Sequence, residues 1–231
     1  MKNITTILFD MGGPLVNDDF AILQWHHRLL QLIGEKSDLK RTMDDINAAL
    51  QRAIECYTPS FISYIIWELI KPDRELYRQL REEVGRFPFE KYFEPRPKVA
   101  ETLEILHQKF QLGIAANQRR EARDYLEKIE IRKYFRSHLM SQEIGYSKPD
   151  LRLFMRVLDD LGARPEETMM VGDRQDNDIV PAKMLGMTAV RINCGYHRNQ
   201  KIRYPQEEAD YVIEGIAEIP KIPEISAKLA P

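Results

Sequence analysis

The stretch ILFDMGGPLV, Ile7 to Val16, drives one carboxylate, Asp10, off the end of an apolar run and into a glycine-rich turn. The residues before it, Thr5 to Phe9, are β-branched, aliphatic and aromatic, which suits a strand buried on both faces. An acid that directly follows such a strand, with Gly12 and Gly13 behind it, fits an exposed nucleophile better than a capping acid. Working outward, strand-length apolar runs recur at LGIAAN (Leu112 to Asn117), SHLMS (Ser137 to Ser141), TMMVGD (Thr168 to Asp173), TAVRI (Thr188 to Ile192) and YVI (Tyr211 to Ile213). Their hydrophobicity is continuous and does not alternate, as expected of parallel strands covered by helices. Between them lie helical patterns: VAETLEILHQKF, REARDYLEKI, LRLFMRVLDDLG and DIVPAKMLG. Alternation of this kind predicts an α/β fold with a doubly wound parallel sheet.

Residues 18–89 break the rhythm. They hold no convincing strand, only FAILQWHHRLLQLIG, MDDINAALQRAIECY, FISYIIWELI and ELYRQLREEVG, punctuated by Gly34, Pro59, Pro72 and Gly85. The expected organisation is a core domain over 1–17 and 90–231, with an inserted α-helical cap domain over 18–89. PFEKYFEPRPKVA would be the return linker. Ligands of open parallel sheets bind beyond the carboxyl ends of the strands. Asp10, Asn117 and Asp173 each stand at such an end, so one crevice can gather them.

Composition narrows the function classes. With 34 Lys plus Arg against 36 Asp plus Glu, the net charge is -2, which offers no field to draw in nucleic acid or an anionic membrane. The most apolar segment, Phe61 to Ile70, is too short to span a bilayer. The opening MKNITTILFD lacks the long apolar core of a signal peptide, so a cytoplasmic protein is expected. Cys56 and Cys194 belong to no CxxC pattern and read as buried, reduced thiols. His26 and His27 are adjacent on an expected helix, so their side chains diverge and suit packing or surface roles.

Four short motifs in fixed order give the chain a resemblance to the haloacid dehalogenase superfamily, in its subgroup with a helical cap after the first strand. DMGGP (Asp10 to Pro14) aligns with the family's DxDGT. GIAAN (Gly113 to Asn117) aligns with its strand ending in Ser or Thr, often followed by Asn. GYSKPD supplies the lysine before proline, Lys148, and GDRQDND supplies Asp173 and Asp178. The resemblance implies a hydrolase with Asp10 as nucleophile, since a carboxylate can form a covalent aspartyl intermediate. It implies Mg²⁺ held by Asp10, Asp173 and the main-chain carbonyl of Gly12, with Asp178 helping directly or through water. Lys148 would neutralise the attacking carboxylate and the transferring group. Gly12, Gly13, Ala116, Asn117 and Lys148 would receive the phosphate of a small phosphorylated substrate.

Three departures stand out. Gly12 occupies the place of the family's general acid and base, whose loss typically costs about 10²–10⁴ in rate. Ala116 replaces the hydroxyl that would bind a phosphate oxygen, and Pro14 removes another hydroxyl and a main-chain donor. Asn17, Asp18 and Asp19 are nearby candidates to stand in for the acid. Three readings follow. The first is a Mg²⁺-dependent phosphatase, slow or adapted to easy leaving groups. The second is a catalytically silent binding protein. The third is a carbon–halogen hydrolase, which needs no leaving-group acid but has little use for Asp173 and Asp178. Trp25, Tyr57, Tyr64 and Trp67 are candidates for the crevice wall or for the core of the helical domain.

Overall fold

The computed structural model describes residues 2–230. Thr6–Phe9 forms strand β1, buried at every position, and Asp10 follows it directly. The loop after it closes through Val16–Asn17 (β2), which pairs antiparallel with Glu94–Pro95 (β3). The remaining strands are Gln111–Ile114 (β4), Thr168–Gly172 (β5), Thr188–Ile192 (β6) and Tyr211–Ile213 (β7). They form a five-stranded parallel sheet in the order β4-β1-β5-β6-β7. The expected doubly wound α/β architecture is therefore present. Two pairings matter for the site. Phe9 is level with Ile114 on one side and Val171 on the other, so the segments following β1, β4 and β5 leave the sheet together.

The chain divides into two compact units: one up to Asn17 and from Glu94 onward, the other Asp18–Phe93. In the first unit, the best-defined crossover helix is Leu151–Leu161. Phe154, Val157, Leu158 and Leu161 recur at helical spacing and pack with Leu8, Met170 and Ala189 of the sheet. The Asp150 carboxylate accepts the Arg152 N–H at its start, and Gly162, in the left-handed conformation, ends it.

The second unit holds helices α1 (Asp19–Lys36), α2 (Met43–Glu55), α3 (Phe61–Ile70) and α4 (Arg74–Arg86). Along α1, Ile22, Trp25, His26, Leu29, Leu32 and Ile33 form the buried stripe. Thr42, Ser60 and Asp73 cap the other three helices through their side chains. Trp25 is buried, which puts it in the core of this unit. Trp67 packs edge-on against Tyr77.

Several expectations need correction. Ser137–Ser141 makes only single bridges, Gly113 to Ser137 and Ala116 to Met140, and no strand, because a short helix already starts at Ser141. The return from the helical unit lies at Phe93/Glu94 and not at residue 89. A short helical turn, Phe89–Tyr92, keeps Tyr92 stacked on Phe87 and edge-on to Phe20, so it stays with the helices. Gly34 and Gly85 sit inside helices and do not divide them. Cys56 is exposed and Cys194 half-buried, and neither forms a disulfide among the described residues.

Candidate active site

Asp10, Asp173 and Asp178 are all buried, and one carboxylate oxygen from each lies within 4.8 Å of the others. The Lys148 ammonium is inserted among them, 2.9 Å from Asp10 Oδ1 and 2.6 Å from Asp178 Oδ1, with almost no exposure of its own. Burial alone would drive the lysine towards its neutral form. The Asp10 and Asp178 carboxylates outweigh it and hold the pKa above the ordinary lysine value. Asp178 moves the other way. Burial pushes it up to about 6, and the nearby ammonium only partly offsets the desolvation and the repulsion from Asp10.

Local backbone explains how these groups converge. The Asp10 carboxylate is held from behind: the Met11 N–H donates to Oδ1 at 2.7 Å, beside the lysine. Among the described residues, Oδ2 accepts no hydrogen bond. Gly13 has φ +86°, and a Cβ there would lie 2.7 Å from the Asp173 carboxyl carbon. At Gly172, a Cβ would lie 2.3 Å from Asp178 Cβ. Each glycine thus admits a carboxylate that any side chain would displace.

The structure sorts the expected anion donors. Gly13 N–H is already spent on Val16 O at 2.9 Å, so it is not available to a phosphate. Gly12 N–H has no acceptor among the described residues, and Gly12 is half-buried. The Asn117 side chain holds the Lys148 main chain. Its Nδ2 donates to Lys148 O at 2.9 Å, and its Oδ1 accepts the Lys148 N–H at 2.7 Å. Its main-chain N–H has no acceptor among the described residues and is open to an anion. The Ala116 methyl is buried and offers no donor, and the Ala116 carbonyl accepts from Ser141 N–H. Asp178 uses both oxygens within the protein, one for Lys148 and one for Arg174 N–H at 3.1 Å. Asn17 sits in β2 opposite Glu94, whereas Asp18 and Asp19 belong to the helical unit.

Sequence reading missed a second layer around Asp173. His197 Nδ1 lies 3.9 Å from Asp173 Oδ2, and burial holds the imidazole neutral, with a pKa lowered to about 3. Arg174 and Asp176 form a buried bidentate pair. Gln200 Oε1 accepts the Gln175 N–H, and the Gln175 side chain donates to Glu207 O. Only the polar run Asn193 to Gln200 directly after β6 hinted that this segment folds over the GDRQDND turn. Arg96 was missed too; its Nε donates to Gly13 O at 2.8 Å.

A divalent cation fits this donor set. Three carboxylates against one ammonium leave two negative charges within the cluster. Opposite oxygens around Mg²⁺ are about 4.1 Å apart, close to the observed spread. Oxygen-only donors suit that hard ion, and no His or Cys completes the group.

A family model for haloacid dehalogenase-like hydrolases matches residues 7–192. The chain belongs to that family. Solved structures match the chain over nearly its full length. A crystal structure described as an HAD phosphatase from Thermococcus onnurineus is 25% identical, with a TM-score of 0.67, over 95% of this chain and 97% of that one. A predicted phosphoglycolate phosphatase from Haemophilus somnus superposes with a TM-score of 0.74 at 21% identity, over 96% and 99%. Among curated relatives, the glyceraldehyde 3-phosphate phosphatase of Methanocaldococcus jannaschii is 28% identical over 228 residues, 94% of this chain and 95% of that protein. The enzyme of the same name from Methanopyrus kandleri is 34% identical over 125 residues, 53% and 54% of the two chains. This haloacid dehalogenase-like hydrolase thus has phosphatases among its relatives, and no helix among its described residues is long and apolar enough to cross a membrane.

Proposed function

We propose that the protein transfers a phosphoryl group from a small phosphorylated compound to Asp10, and that it releases the group slowly. The observation that carries this reading is the buried set of Asp10, Asp173 and Asp178 around Lys148, with no acid at position 12. A phosphatase-named relative at 28% identity over nearly the full length supports the choice of phosphorus as the attacked atom. Mg²⁺, when bound, would neutralise the anionic substrate and the carboxylates around it. Asp10, Asp173 and the Gly12 carbonyl are the residues proposed to hold it, with Asp178 helping directly or through water.

The protein's own groups do the rest. Asp10 Oδ2 forms the new bond to phosphorus as the bond from phosphorus to the leaving oxygen breaks, and the leaving oxygen keeps that bond's electron pair. The fixed Lys148 charge lies 2.9 Å from Asp10 Oδ1 and stands beside the transferring group. The Gly12 and Asn117 N–H groups are the donors left open for phosphate oxygens. Because Gly12 brings no proton, substrates whose leaving group needs none, such as acyl phosphates, should react best. Hydrolysis of the aspartyl-phosphate should lag, since no side chain at position 12 activates the water. The helical unit is the part of the chain proposed to choose the substrate. Two cysteines outside any disulfide suit a reducing cytoplasmic setting.

Incubation with Mg²⁺ and acetyl phosphate, followed by intact mass measurement, tests the first step. The expected result is gain of one phosphoryl group, absent in Asp10→Asn and absent with EDTA. No gain, or equal gain by Asp10→Asn, would contradict it and favour a silent binding protein. Halide release from 2-chloropropionate in excess EDTA would instead favour carbon–halogen chemistry.

A further inference from the structure

The loop that carries the proposed nucleophile has few means of holding its own shape. Gly12 and Gly13 are followed by Pro14, which has no N–H, and three main-chain bonds close the turn: Gly13 N–H to Val16 O, and Leu15 and Val16 N–H to Met11 O. Two carbonyls on its outer side, those of Gly13 and Leu15, point to a single residue 83 positions away from Gly13. Arg96 Nε donates to Gly13 O at 2.8 Å, and the Arg96 main-chain N–H donates to Leu15 O at 3.0 Å. The first is a charge-assisted bond, roughly twice as strong as a neutral one. The gripped residue is the one that matters most for the site, because Gly13 is packed against the Asp173 carboxylate without room for a Cβ.

We infer that Arg96 is a positioning residue for this site: its two-point grip on Gly13 and Leu15 holds the Asp10 loop at the separation from Asp173 that one divalent cation requires. Arg96 follows directly on β3, the first segment after the helical unit, so the grip also ties that return of the chain to the nucleophile loop. A planar guanidinium anchored by its own main chain can hold a carbonyl in a fixed direction. A lysine can supply the charge and one donor, but not the fixed fork. This inference rests on the proposal that Asp10 and Asp173 share a cation.

The test is Mg²⁺ binding by calorimetry on the full chain, for wild type, Arg96→Ala, Arg96→Lys and, as a control on an exposed arginine, Arg78→Ala. Thermal midpoints and amide hydrogen exchange of the loop accompany it. Arg96→Ala should bind Mg²⁺ about tenfold more weakly, with the Gly13, Leu15 and Val16 amides exchanging faster and a thermal midpoint like that of Arg78→Ala. Arg96→Lys should recover part of the affinity, and Arg78→Ala should match wild type. Wild-type affinity in Arg96→Ala would overturn the inference and leave the proposed function standing. So would an affinity loss that only follows a fall in thermal midpoint. A wild type that binds no Mg²⁺ would remove both.

Discussion

Asn117 and Lys148 show how much of this site depends on single atoms. The Asn117 amide closes a two-bond ring with the Lys148 main chain, which fixes where the lysine side chain begins its path to Asp10 and Asp178. Asn117→Ala should therefore slow phosphoryl transfer to Asp10 by about 10²-fold, the usual cost of misplacing a catalytic group by about an ångström. Phosphoenzyme formation followed by rapid quench measures this, and an unchanged rate would show that the ring is not needed. Lys148→Ala should act on stability as well, because it leaves two buried carboxylates facing each other. A loss of about 3–5 kcal/mol is expected from urea unfolding at neutral pH, and a loss below about 1 kcal/mol would contradict the picture. The principal groups were legible in the sequence because each sits in a short motif at a strand end. The bonds from the Asn117 side chain to Lys148 were not, since the partner is 31 residues away. Arg96 was invisible for the same reason: its partners lie across the fold, and nothing local in EPRPK sets it apart.

At the scale of elements, α1 carries a buried titratable group on its apolar stripe. Burial, with the neighbouring His27 charge, lowers the His26 pKa to about 4, whereas an unfolded chain would titrate near 6.5. As pH falls from about 6.5 to about 4, the unfolded chain takes up this proton and the folded chain does not, so stability is lost across that window. His197 adds a contribution of the same sign, with its pKa lowered to about 3. His26→Phe should thus lose less of its urea midpoint between pH 7 and pH 4.5 than wild type does. Parallel curves for the two proteins would contradict the assignment. Most elements were readable from periodicity alone, β6 and α3 to the residue. Ser137–Ser141 was not, because its apolar run is too short to separate a strand from an extended lead-in to a helix. Phe89–Tyr92 was misplaced because aromatic packing with Phe87 and Phe20, and not local propensity, decides which unit it joins.

In the whole molecule, a family member keeps the buried lysine and the acidic cluster that includes the proposed nucleophile Asp10, and has glycine at position 12. Such an enzyme should perform the first half of the reaction and stall in the second. The lifetime of the phosphoenzyme measures this most directly. Protein labelled with acetyl phosphate and Mg²⁺ is freed of excess reagent, and the loss of the phosphoryl group is followed by intact mass in wild type and in Gly12→Asp. The expected result is a wild-type lifetime about 10²–10⁴ times longer than that of Gly12→Asp, the worth of one general base. Equal lifetimes in the two proteins, or no phosphoryl group on Asp10 in either, would contradict the account.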